Sequence, residues 1–370
     1  MTRYKEQTEF INEKDIMFAV ATNIISITIL FLPRYIADNT VAADGWLTIV
    51  FGGFIAIIFA WILAKIASSF PNQSFLSFAS YLVSRPFAIV LSILFIVQYI
   101  TISFFQIREI ATLSHEYLFD RTPLEVVCLA FILVVIYAVS GSRAAIFRLN
   151  ILFFPFVIVG LLLLIFFPMG AIKIENLLPV FETDLKGIMQ GTTSSLHAFL
   201  GFSIVLFYIS LVKNPKKTPK MTVIGILWPF FFYIVIFIVC IGVFGNATTK
   251  NLYYPVFELS KTVSSPGNFI ERFDSILFII WTLIVFTTSL MAFDIAILLL
   301  NSIFKNTSKM VIISILSPII FFLAMLPTNY VEVNKIAKYI VYVEISFLVF
   351  VTLLLGIMLL IKGVKTNDQK

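Results

Sequence analysis

Apolar runs of about 20 residues, enough helix to cross a hydrocarbon core about 30 Å thick, recur from Ile16 almost to the C-terminus of this 370-residue chain. No other feature constrains the fold as strongly. Hydrophobic residues make up 60% and charged residues 12%, against about a quarter charged in soluble chains, so there is too little polar surface to clothe a water-soluble domain. A helix satisfies its own backbone hydrogen bonds in lipid, and the chain is expected to be an all-α integral membrane protein forming one transmembrane domain over 1–370.

Charged and proline-rich breaks divide the runs into ten spans, at 16–36, 45–67, 86–107, 123–140, 144–167, 188–210, 221–245, 273–301, 310–327 and 337–361. Most of the 26 Lys and Arg then fall on the side of the N-terminus. Lys213, Lys216, Lys217, Lys220, Arg143, Arg148, Lys305 and Lys309 contribute most clearly. By the positive-inside rule both tails, 1–15 and 362–370, are expected to be cytoplasmic. Residues 1–15 are hydrophilic with no small-residue cleavage site after the run that follows, so the first helix reads as retained.

The formal net charge of +6 belongs to this topology. Its residues are scattered over short loops, not gathered on one face as nucleic-acid binding requires. Cys128 and Cys240 each sit within a long apolar run, where cysteine acts as a small hydrophobe. Neither a disulfide, a metal site nor a cofactor is predicted.

Because five is odd, dividing ten spans into two sets of five starts the second set from the opposite face. Repeat one would cover about 16–167 and repeat two about 188–361, an inverted duplication of the kind found in transporters whose sites lie at broken helices near the midplane. The longest non-spanning segment, 246–272, lies on the outer side. Its Tyr253-Tyr254-Pro255-Val256-Phe257-Glu258-Leu259 stretch suggests a short interfacial helix, read as a headgroup anchor in preference to a gate.

Polar groups in lipid are costly and turn toward protein or cavity. Four spans gather them. Span one has Thr22, Ser26 and Thr28 before Pro33, predicting a break between Ser26 and Pro33 that frees backbone groups at Ser26, Ile27 and Thr28. Span three has Tyr99, Ser103 and Gln106 at one-face spacing, equally consistent with interhelical bonding. On span six, Thr192-Thr193-Ser194-Ser195 leads into His197, Phe199, Leu200, Gly201 and Ser203, where a helix can unwind or cross a neighbour tightly. Span eight carries Trp281, Thr287, Thr288, Ser289 and Asp294.

Asp294 lies about 10 Å from its helix end at about 1.5 Å per residue, and so needs a partner, a water path or a proton. With Glu344 of span ten it is the candidate for ion or proton coupling; Glu344 has no neighbour in sequence to pair with. His115 and His197 have no carboxylate or nucleophile at revealing spacing, which gives no support to an enzyme.

Further landmarks are Leu32-Pro33-Arg34, Asp44-Gly45-Trp46, Phe70-Pro71-Asn72-Gln73, Arg121-Thr122-Pro123 and, most specifically, Phe269-Ile270-Glu271-Arg272-Phe273-Asp274 followed by Trp281 and Phe286-Thr287-Thr288. Over nearly its whole length the chain resembles the spore germination permeases, the B subunits of germinant receptors in the amino acid–polyamine–organocation transporter superfamily. The resemblance implies two inverted five-helix repeats with discontinuous helices one and six. It also implies a germinant site, typically for an amino acid, framed by helices one, three, six and eight.

On that reading Ser26, Ile27, Thr28, Tyr99, Ser103, Ser195, Phe199, Leu200, Gly201, Ser203, Thr287 and Thr288 are the expected ligand-binding residues. Implied partners are a larger A subunit and a lipoprotein C subunit, in the inner membrane of a spore. Two departures stand out. No glycine marks the first break, and Ser203 stands where the family pattern Phe-Leu-Gly-x-Glu has its acid. The alternative function is a proton- or sodium-coupled amino-acid transporter.

Overall fold

The computed structural model describes residues 10–26, 28–262, 273–327 and 330–363. Its helices follow the apolar runs. The first run is split into α1 (Glu13–Ile25) and α2 (Thr28–Ala37), bent by 50° at the break. Next come α3 (Gly45–Ser68), a short α4 (Phe75–Leu82), α5 (Arg85–Tyr117), α6 (Leu124–Ser140) and α7 (Arg143–Phe166). The sixth run is also split, into α8 (Leu185–Ala198), a 3-10 turn over Leu200–Ile204 and a one-turn α9 (Val205–Tyr208). There follow α10 (Thr218–Phe244), α11 (Asn246–Thr249), α12 (Pro255–Lys261), α13 (Phe273–Ile303), α14 (Lys309–Met325) and α15 (Tyr330–Lys362).

Among the described residues seven segments are long and apolar enough to cross a bilayer, the bent α1–α2 pair makes an eighth span, and the apolar helices α6 and α14, at 17 residues each, complete ten. Seventeen is at the short end of what spans a membrane. The two discontinuous spans are the first of each five-span half, as the fold class requires.

The first break falls at Ser26, earlier than Pro33, which lies inside α2. Proline withholds one amide from a helix without always ending it. The last helical bond of α1 runs from the Ser26 amide to the Thr22 carbonyl, and the chain turns there.

α5 runs to Tyr117, ten residues past its expected end at 107. The apolar run stops, but the helix does not, because its polar side chains find partners in protein. Glu109 is buried and accepts from the Tyr254 hydroxyl at 3.0 Å. Arg108, also buried, donates to the Ala324 carbonyl at 3.2 Å. α4, which was not expected, buries Phe75, Phe78, Ala79 and Leu82, the i, i+3, i+4, i+7 stripe of a helix with one face on the core. Its N-cap Ser74 accepts from the Ser77 amide, which fixes where it starts.

The short helix α12, expected in the outer loop, is not a headgroup anchor. Tyr254, Val256, Phe257 and Leu259 are each at most 1% exposed, with the Tyr254 ring 5.3 Å from Phe31 of α2 and the Phe257 ring 4.4 Å from Tyr117 of α5. An aromatic segment gains more by filling a notch between two helices than by lying at the interface when that notch is open beside it. Glu258 ties it down, accepting from the Tyr117 hydroxyl at 2.7 Å and pairing with Lys261 at 3.1 Å. Residues 263–272 of that loop, including Phe269 to Arg272, lie outside the described residues.

At the opposite, N-terminal face, Ile11 pairs with the strand-like segment after α9. Its amide donates to the Leu211 carbonyl at 2.9 Å and its carbonyl accepts from the Lys213 amide at 3.0 Å. Ile11, just before α1, is thereby fastened under the second broken span.

Candidate ligand-binding site

The two helix breaks meet. A Cβ on Gly201 would stand 2.9 Å from the carbonyl carbon of Asn23 and 3.0 Å from the Ile24 amide nitrogen, so glycine is what lets the unwound turn of the sixth span lie against the end of α1. Each break leaves carbonyls without helical donors. One side chain reaches both. The Tyr233 hydroxyl of α10 donates to the Ile24 carbonyl and lies 3.5 Å from that of Ala198. Phe199, at the break itself, packs its ring at a tilt against that of Tyr233, centroids 5.2 Å apart.

Buried polar side chains lock the first break to spans three and eight. Ser26 Oγ is 2.9 Å from Thr288 Oγ1, and Gln106 Oε1 accepts from Thr288 at 3.2 Å and from Ser289 at 2.7 Å. Gln106 Nε2 reaches Ser26 Oγ at 3.5 Å. In an apolar medium such a knot holds because its members have no water to turn to. The second break is joined to span three by Tyr99, whose hydroxyl is 2.9 Å from Ser203 Oγ.

Between these elements lies a cavity of about 660 Å³, within the size range of small-molecule sites. Its floor carries Asn23, Ser26 and Ser203, and its wall runs along α2 to Asp38 and Asn39 at the face opposite the N-terminus. Toward the N-terminal face the helices are tied together. There Asp294, wholly buried, accepts from Arg143 Nε and from the Tyr208 hydroxyl, both at 3.1 Å, with Lys309 Nζ 3.9 Å from its other oxygen. These contacts clasp α7, α9, α13 and α14.

Of the residues expected from the sequence, Ser26, Thr28, Tyr99, Leu200, Gly201, Ser203 and Glu344 line the cavity. Five others lie outside its lining. Ser103 donates to the Tyr99 carbonyl and Thr287 to the Ile284 carbonyl, Thr288 belongs to the polar knot and Phe199 packs on Tyr233. Ser195 lies 3.3 Å from Thr48 at a crossing so tight that a Cβ on Gly52 would stand 2.7 Å from it, the close-packing alternative for that stretch. Ile27 lies outside the described residues.

Asp294 does not reach the cavity; the partner it requires is the Arg143 guanidinium. Glu344 pairs across helices with His197, Oε2 to Nε2 at 3.2 Å. Sequence reasoning left His197 without a role and passed over Tyr233 and Gln98, the latter also on the cavity wall. A tyrosine in the middle of the apolar helix that follows the second break carries no local signal of its function. Among the described residues no cluster of three or more His, Cys, Asp or Glu is placed to hold a metal ion.

The family model described as "Spore germination protein" matches residues 10–333. The spore germination protein GerLB of Bacillus cereus is 35% identical over 98% of this chain and 97% of its own. Spore germination protein A2 of Bacillus subtilis (strain 168) is 27% identical over 94% of this chain and 95% of its own. Among solved structures, that of MhsT in complex with L-phenylalanine superimposes with a TM-score of 0.73 at 14% identity, covering 94% of this chain and 88% of that one.

Proposed function

The chain belongs to the spore germination protein family, and from that premise we propose that it is the membrane subunit of a germinant receptor that binds a small nutrient, an amino acid, at the bilayer midplane and passes the event to partner subunits. One observation carries this reading: both helix breaks open onto a single cavity. The N-terminus of α2 offers the amides of a helix's first turn and the positive end of a helix dipole to a carboxylate. The carbonyls around Phe199 to Gly201 offer the complementary end to an ammonium. Ser26, held by Thr288, and Ser203, held by Tyr99, supply hydroxyls between them.

The nutrient enters from the face where the cavity meets Asp38 and Asn39, taken as the outer side because the lysine-rich segment 213–220 marks the other as cytoplasmic. Binding favours one arrangement of the two repeats, about 16–167 and 188–361. A shift from 1:99 to 99:1 requires about 5.5 kcal/mol of preference for one state, which closure of the outer wall over the ligand supplies in part. Larger A and lipoprotein C subunits receive the shift in the inner membrane of the spore. Deleting the gene and scoring germination on single amino acids and sugars tests this: loss of response to one nutrient is expected, and normal response to all contradicts it.

A second reading, proton- or sodium-coupled amino-acid transport, is favoured by one feature, a cavity reaching one face while the other is clasped at Asp294. Labelled substrate accumulating in liposomes that contain this chain alone would support transport; binding without flux supports the sensor.

A further inference from the structure

Glu344 is 8% exposed and lines the cavity. His197 holds its Oε2 at 3.2 Å, while Oε1 is buried without any hydrogen-bond partner. On the same wall Gln98 Oε1 is also buried and unpartnered. Two orphaned acceptors on one cavity wall are complementary to a group rich in N–H donors. Charge points the same way. The described lining holds the carboxylates of Asp38 and Glu344 and no Lys or Arg, and a zwitterion, which brings no net charge, would leave that wall acidic.

We propose that Glu344 selects a ligand carrying a protonated amine in addition to its α-amino group, so that the site takes a basic amino acid in preference to a neutral one of the same length. This rests on the amino-acid reading above. The α-carboxylate and α-ammonium occupy the two breaks, and the second ammonium meets Glu344 Oε1, with Gln98 as an accessory acceptor and His197 keeping the carboxylate oriented. A charge-assisted hydrogen bond inside a low-dielectric wall is the strong kind.

The test is equilibrium binding of labelled L-lysine to membrane vesicles carrying the full-length chain, in competition with L-norleucine, which has the same chain length without the terminal amine. Lysine is expected to bind on the order of tenfold more tightly, with that preference lost in Glu344→Gln. Norleucine binding as tightly as lysine to the unaltered protein overturns the inference and leaves the amino-acid reading standing. Failure of both to bind, in a chain that still melts cooperatively, overturns the inference too, and failure of a panel of the other amino acids in the same assay removes the amino-acid reading as well. The comparison in the unaltered protein stands even if the variant does not fold.

Discussion

The hydroxyl of Tyr233 donates to the carbonyl of Ile24, two residues before the first break, and lies 3.5 Å from the carbonyl of Ala198, one residue before the second. A helix interrupted in lipid has no water to satisfy what it frees. Tyr233 therefore caps the first discontinuous span while lying against the second, which makes their geometries interdependent.

Tyr233→Phe removes that cap while keeping the ring that packs on Phe199. Leaving a buried carbonyl unsatisfied costs about 1–3 kcal/mol, so a lower thermal midpoint in detergent is expected, together with a weakened nutrient response. An unchanged midpoint would show that the Ile24 carbonyl is satisfied some other way.

Thr287 and Thr288 are adjacent but play different parts. Thr288 joins Ser26 and Gln106 across three spans, whereas Thr287 donates within its own helix. Thr288→Val is expected to raise the half-maximal nutrient concentration by about tenfold or more, the equivalent of a lost buried hydrogen bond. Thr287→Val should move it little. Equal effects of the two would mean that the knot does not hold the site.

Gly201→Ala places a methyl against the backbone of Asn23 and Ile24, neither of which is a flexible side-chain tip. Spores of this variant are expected to hold normal amounts of the protein yet fail to respond to nutrient, as the breaks are forced apart. Full response with normal abundance would show that the contact yields cheaply.

How much of this was legible beforehand follows the range of each interaction. The apolar runs located all ten spans, since membrane crossing is a property of one segment at a time. The unwinding around Phe199 to Ser203 was visible because a glycine and small residues sit together in sequence. Glu344 was seen as an acid needing a partner, but His197 is 147 residues away, and the partner of Asp294, Arg143, is 151 away. Such pairs exist only once helices are packed. The end of α5 and the docking of α12 were misjudged for the same reason: Glu109 is sheltered by Tyr254, a residue of a loop that hydropathy alone assigns to the interface.

The clasp at the N-terminal face gives a conformational prediction. Arg143→Ala leaves the fully buried Asp294 carboxylate without its guanidinium, and breaking a buried pair from one side costs about 3–5 kcal/mol. The closed state should lose most of that, so hydrogen exchange in α9 and the start of α14 is expected to quicken. Arg143→Ala combined with Asp294→Asn should restore part of the protection. If neither variant changes exchange there, the clasp does not close that face.

The most direct test of the central claim, that nutrient occupies the cavity between the two breaks, is protection of a thiol placed at its wall. Cys128 and Cys240 are buried, so the thiol introduced by Thr28→Cys is the accessible target for a small methanethiosulfonate reagent in membranes. The nutrient that triggers germination should slow its modification, with half-protection at the concentration that half-saturates the germination response of the same variant. Modification at an undiminished rate in saturating nutrient would place the ligand elsewhere.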